Sequence, residues 1–154
     1  MSLIAAAVTL HTLSAVVWVG GMFFAWVCLR PAAGKLPADA RQALWADVFR
    51  CFFPWVWVAV SIILLSGYGL IFGYFGGMAH APIFVHVMQA LGLTMMALFA
   101  HVFFAPYGRL RRAVAAGDVE SGGRALAQIR KLVGLNLLLG LAVVIIAVGG
   151  RFFS

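Results

Sequence analysis

Residues 132–148 read LVGLNLLLGLAVVIIAV, a run of seventeen residues without a charged side chain. A helix rises about 1.5 Å per residue, so some 20 residues cross the ~30 Å hydrocarbon core of a bilayer, and about 17 are the fewest that do so. Three similar runs lie earlier, at about residues 3–29, 52–72 and 83–107. The sequence therefore predicts an all-α membrane protein, residues 1–154 forming one domain that is a four-transmembrane-helix bundle.

The composition excludes a soluble domain. Of the 154 residues, 65% are hydrophobic and 10% are charged, whereas soluble domains average roughly 45–50% and about 25%. Every Asp, Glu, Lys and Arg lies outside the four apolar runs. The segments between these runs are short, so a separate catalytic domain outside the membrane is not expected. The net charge of +7 is explained by basic loops beside membrane helices, so nucleic acid is not an expected partner.

The distribution of positive charge predicts the orientation. Residues 30–50 and 109–131 carry ten of the eleven Lys and Arg residues, and residues 73–82 carry none. The positive-inside rule places both basic connections in the cytoplasm and both termini in the periplasm of a bacterial inner membrane. Cys28 and Cys51 lie near the cytoplasmic ends of their helices, where a structural disulfide is not expected.

Both basic connections also show helical patterns of their own. Residues 37–49 begin with Pro37 and place apolar side chains at amphipathic spacing, which predicts an interfacial helix leading into the second span, with Pro54 inside it. Residues 122–131 begin with two glycines and predict a short helix that continues into the fourth span.

Two histidines have the same spacing to a following proline. His11 precedes Pro31 by twenty positions, and His86 precedes Pro106 by the same number. This spacing suggests a two-helix parallel repeat, related by an axis along the membrane normal. The repeat predicts that His11 and His86 lie at one depth near the periplasmic face and point towards each other.

The polar side chains inside the spans are the candidate site residues. Histidine is costly in lipid and normally turns inward, so His11 and His86 at one depth favour a metal or haem site. The alternative is that each ring bonds a backbone carbonyl or a serine. Asn136 and Gln89 are expected to be structural polar groups, with Asn136 bonding His101 at a deeper level.

Weaker candidates follow from ligand chemistry. His101, Met22 and Met88 are further metal-ligand candidates because thioethers favour Cu(I), although methionine also fills ordinary cores. Arg151 follows the fourth span on the predicted periplasmic side. It could hold a haem propionate by a charge-assisted bond, or its side chain could reach the membrane interface.

Two stretches carry a family resemblance. Residues 11–24 read HTLSAVVWVGGMFF and are followed by Arg30 and Pro31, and residues 130–140 read RKLVGLNLLLG. They resemble the opening and closing helices of the copper-resistance D (CopD) family of bacterial membrane proteins. The resemblance implies copper movement between periplasm and cytoplasm, often beside a periplasmic copper carrier.

The fold is more distantly similar to HemJ-type protoporphyrinogen oxidases, whose first-helix histidine matches His11. Those proteins carry an intramembrane lysine soon after the position of His86, where this chain has Val87, Met88 and Gln89. This departure argues against porphyrinogen oxidation.

Three functional hypotheses remain. The first is a b-type haem bound by His11 and His86, for electron transfer or redox sensing with a redox partner, because two neutral imidazoles complete the axial positions of haem iron. Such a site could also support a haem-dependent membrane oxidoreductase. The alternatives are copper binding or transport through His and Met ligands, and a metal-free membrane assembly or interaction protein. A homo-oligomer is compatible with all three.

Overall fold

The computed structural model describes residues 2–150, and within this range the regular structure is entirely helical. Four of its helical stretches are long and apolar enough to cross a membrane, which confirms the predicted all-α, four-span architecture. The helices are α1 (Leu3–Phe24), a π-helical turn (Ala25–Leu29), α2 (Arg30–Ala33), α3 (Ala38–Gly73), a 3-10 turn (Met78–His80), α4 (Ile83–Phe104), α5 (Pro106–Ala116) and α6 (Val119–Gly149).

The helices pack as two close pairs. α1 lies along α3, and α4 lies along α6, while α5 packs against the first half of α6. Aromatic rings join the pairs in the centre, where Phe99 of α4 meets Trp18 of α1 at 6.1 Å and Phe53 of α3 at 5.4 Å between ring centroids. Both contacts are edge-to-face, a geometry that stabilises by about 0.5–1.5 kcal/mol beyond simple burial.

The outside of the bundle is apolar over the spans. Large side chains such as Leu65, Phe104, Leu138 and Ile145 are between 66% and 77% exposed. An exposed apolar surface of this extent is unfavourable in water and favourable in hydrocarbon. The spans therefore contact the lipid bilayer through these faces.

The second and fourth spans begin earlier than the predicted limits of residues 52 and 132. α3 already begins at Ala38 and α6 at Val119, because the amphipathic segments before both spans continue into them without a break. On the first segment Trp45 and Phe49 are buried, whereas Asp47 and Arg50 are exposed and form an ion pair at 3.1 Å. The hydrophobic runs marked the spans but not the ends of the helices.

The third span, predicted over 83–107, is divided by a proline. α4 ends at Phe104, Ala105 leaves helical geometry at φ −110° and ψ −84°, and Pro106 opens α5. A proline disfavours helical geometry in the residue before it and is well suited to a first helical turn. Pro31 similarly lies in the first turn of α2. The parallel repeat itself stays a prediction.

The N-terminus of α6 has a pH-dependent cap. The Asp118 carboxylate accepts a hydrogen bond from the Ser121 backbone N–H at 3.0 Å, and this bond holds the pKa of Asp118 below its ordinary value. The stabilisation is therefore present at neutral pH and is lost as the pH falls below about 4 through the lowered pKa. We expect a small fall in the thermal unfolding midpoint over that range, and Asp118→Asn, which keeps a capping oxygen, should remove this component.

Candidate metal-binding site

The inward face of α1 carries the first candidate ligands. His11, Ser14, Trp18 and Met22 follow one another at helical spacing, and the last three are buried. His11 and Met22 are eleven residues apart, which at 100° per residue puts them within about 20° of one face and about 16 Å apart along the axis. One helix face thus presents an imidazole near one end and a thioether near the middle of the bundle.

The imidazole of His11 is held by α3. Its Nδ1 lies 2.9 Å from the Ser66 hydroxyl oxygen, and that hydroxyl donates its own hydrogen to the Ile62 carbonyl at 2.5 Å. With the Ser66 hydrogen used in this way, the hydrogen-bond network assigns Nδ1 of His11 as the donor in the bond between them. Nε2 is then the nitrogen with a free lone pair, which is the form in which histidine binds metals.

Gly67 makes room for this ring. A Cβ atom on Gly67 would lie 3.2 Å from Cε1 of His11, closer than an ordinary van der Waals contact. The backbone of α3 therefore approaches the edge of the imidazole directly, and the ring has little freedom to rotate. Orientation by a hydrogen bond and a close backbone surface is the arrangement that fixes the ligand nitrogen of metal-binding histidines.

His86 is not joined to His11 in this structure. It is half-buried on α4, and within residues 2–150 its side chain forms no hydrogen bond. One turn later, Gln89 donates to the Tyr68 hydroxyl of α3 at 2.9 Å. Ser66 and Tyr68 are two residues apart, about 200° around α3, so α1 and α4 bond different sides of that helix.

A second group of donors lies at the centre of the bundle. Met22 and Asn136 both line a cavity of about 30 Å³ whose other walls are mainly aromatic and aliphatic. The Asn136 amide donates to the Met95 carbonyl at 3.3 Å, but its Oδ1 has no hydrogen-bond partner among the described residues. A buried acceptor without a partner costs about 1–3 kcal/mol. The cavity is large enough for a single water or metal ion.

The expected bond between Asn136 and His101 does not form. Asn136 donates to the Met95 carbonyl instead. His101 follows Met95 by six residues, which is about 240° around α4, so it lies exposed on another side of that helix. Met95 is 3% exposed and Met88, two turns earlier on the same face, is half-buried. Arg151, the candidate for a propionate, lies outside the described residues.

The haem hypothesis gains no support from this arrangement. A bis-histidine haem needs a flat slot with an imidazole on each side. Neither the central cavity nor the larger cavity at the basic end of the bundle is lined by His11 or His86. Neither is therefore a slot of this kind. Residues 2–150 also contain no cluster of three or more His, Cys, Asp or Glu residues placed to hold a metal.

Ser66 and Tyr68 were missed by the sequence reasoning. Both are polar residues in an apolar span, in the stretch Ser66-Gly67-Tyr68, close to the end at which the histidines were expected. Their position was a usable signal, because a hydroxyl near an intramembrane histidine is a natural hydrogen-bond partner.

Comparison with known proteins gives one match. The family model described as copper resistance protein D (CopD) matches residues 46–149, more than half of the chain. The matched range contains α4, α5, α6 and most of α3, including Ser66, and α1 precedes it. No curated protein and no solved structure matches.

Proposed function

The chain belongs to the copper resistance protein D family, and from this membership we propose that it binds Cu(I) inside its bundle and carries it across the membrane. The family is one of inner-membrane proteins, and the four apolar helices make this chain a multi-pass member of it. Copper is the transported substrate in this proposal. His11 is its outer ligand, and Met22 is an inner one.

The state of the His11 ring carries the proposal. The hydrogen bond from Nδ1 to Ser66 leaves Nε2 with a free lone pair, and the close contact with Gly67 restrains the ring. The serine bond alone also fits the structural alternative, so the support for a ligand comes from the second nitrogen with its free lone pair together with the restrained ring. This is the property that a metal ligand needs.

The chemistry of the inner donor favours copper. Thioether sulfur is a soft ligand that suits Cu(I) and suits hard cations poorly. Met22 is 4% exposed and lines the small central cavity, on the same face of α1 as His11. An ion released by His11 would meet this sulfur about 16 Å deeper along the helix.

A carrier on the outer side completes the proposal. In this proposal a carrier delivers the copper ion to His11, and the ion leaves the protein at the other end of the bundle. We place the delivery at the end of α1 that bears His11, and the family resemblance implies a periplasmic copper carrier as the partner there.

Replacing the orienting hydroxyl tests the proposed site. Ser66→Ala removes the partner of Nδ1 without touching the ligand nitrogen, and losing such a partner typically costs 10- to 100-fold in metal affinity. We expect a weakening of that size in Cu(I) binding, measured on purified protein by competition with a chromophoric Cu(I) chelator.

Ser61→Ala is the matched control for this test. Ser61 also lies on α3 and donates to a carbonyl four residues earlier, that of Trp57 at 2.9 Å, but it is exposed and contacts no histidine. Its Cu(I) affinity should equal that of the unmodified protein. Equal affinities for all three proteins, or no copper binding by any of them, would contradict the proposal.

A further inference from the structure

A second and larger cavity lies at the basic end of the bundle, away from His11. Its volume is about 320 Å³, within the range of roughly 300–1,000 Å³ that is usual for ligand pockets. It is lined by three arginines, a tryptophan against which one of them stacks, and apolar residues. We call it the arginine pocket, and its defining residues are Ala25, Trp26, Arg30, Arg41, Arg130 and Val133.

The charge of the arginine pocket is not compensated. Its three guanidinium groups come from α2, α3 and α6, and its lining contains no carboxylate. The ion pairs formed among residues 2–150 involve other arginines, Arg50 and Arg124. Gathering three like charges around one space is unfavourable unless an anion joins them.

Arg30 is already positioned in the arginine pocket. Its Cζ lies 4.4 Å from the centre of the Trp26 ring, a cation–π contact. Gly134 of α6 makes room for that ring, since a Cβ there would lie 2.6 Å from Cη2 of Trp26. The π-helical turn ends here, with the Arg30 N–H donating to the Ala25 carbonyl five residues earlier. π-helical turns often occur at functional sites.

The lining combines the three arginines with apolar side chains. Leu126 and Val133 lie about one turn on either side of Arg130 on α6, and Ala25 begins the π-helical turn that ends at Arg30. A free phosphate ion would use only the charged part of such a space. A phospholipid would place its phosphate among the guanidinium groups and its glycerol and first acyl carbons against the apolar wall.

We propose that the arginine pocket binds the phosphate of an anionic glycerophospholipid. The lipid occupies a groove between the π-helical turn with α2, α3 and α6 at the membrane interface. Its phosphate joins the guanidinium groups of α2, α3 and α6, which would otherwise repel one another there. This inference does not depend on copper transport, because no proposed copper ligand lines the pocket.

The test is a lipid titration of the purified, detergent-solubilised protein. Bound lipid is counted by native mass spectrometry, and the thermal unfolding midpoint is followed as phosphatidylglycerol, zwitterionic phosphatidylcholine or inorganic phosphate is added. We expect one phosphatidylglycerol to bind and raise the midpoint, with the other two additives ineffective at the same concentration. Arg130→Gln should weaken phosphatidylglycerol binding at least about tenfold, since a charge-assisted bond contributes on that scale.

Arg112→Gln is the matched control. Arg112 is an exposed arginine of α5 at the same end of the bundle and does not line the pocket. Its removal should leave lipid binding unchanged. Arg41→Gln repeats the test from another helix, in case Arg130→Gln does not fold. Equal weakening by Arg112→Gln, or binding of phosphatidylcholine or inorganic phosphate as tightly as phosphatidylglycerol, would overturn the proposal.

Discussion

His11→Ala is expected to weaken Cu(I) binding by at least about 100-fold. Loss of a residue that only orients a metal ligand typically costs 10- to 100-fold, and loss of the ligand itself must exceed the effect of Ser66→Ala. The measurement is again competition with a chromophoric Cu(I) chelator. Cells that depend on the variant should also lose any copper-dependent change in growth that the unmodified protein confers.

His101→Ala is the control for this result. Its imidazole is exposed and lies towards the other end of α4, so copper binding should be unaffected. Met22→Leu separates binding from passage, because leucine keeps the buried volume but removes the sulfur. We expect it to retain binding at His11 and to slow copper movement into vesicles. Unchanged affinity in His11→Ala together with lost affinity in His101→Ala would move the site to the other end of the bundle.

Leu110→Ala is expected to destabilise the protein by about 2–5 kcal/mol. Leu110 of α5 is fully buried, and α5 packs against α6 at the basic end of the bundle. Truncating such a side chain removes its packing contacts and leaves a cavity that the helices cannot close completely. The unfolding free energy in mixed detergent micelles gives the measurement.

Leu138→Ala makes the same chemical change on the lipid-facing side. Leu138 is 66% exposed, so lipid replaces the lost atoms and stability should change by no more than about 0.5 kcal/mol. Equal losses from the two variants would mean that Leu110 is not buried between α5 and the rest of the bundle. A large loss from Leu138→Ala alone would instead indicate an additional protein contact on that face.

The four spans were predictable because their signal is local. Each is a long run without charge, and nothing except a membrane helix suits such a run. The starts of α3 and α6 were less evident, because the residues before them are amphipathic and only packing decides whether they join the span. Two short helical patterns were correctly expected there, and the structure shows that both are continuous with the following helix.

The site was only partly predictable for a related reason. The candidate role of His11 followed from its chemistry, since an imidazole in an apolar helix needs a partner. The identity of that partner did not, because Ser66 is 55 residues away and meets His11 through the packing of α1 on α3. The π-helical turn was equally invisible, since no residue type in AWVCL demands it. Sequence spacing alone suggested His86 as the partner, and spacing carries no information about which side of a helix faces which neighbour.

The wide turn at Ala25–Leu29 has a consequence for comparing relatives of this chain. A π-helical turn accommodates one residue more than an α-helical turn, so it shifts the angular register of everything after it by about 100°. A homologue lacking that residue would keep His11 and Met22 in place and rotate the residue equivalent to Arg30 away from its tryptophan. A single gap in a sequence alignment at this point would therefore distinguish relatives that share only the proposed copper ligands from those that also share the arginine pocket.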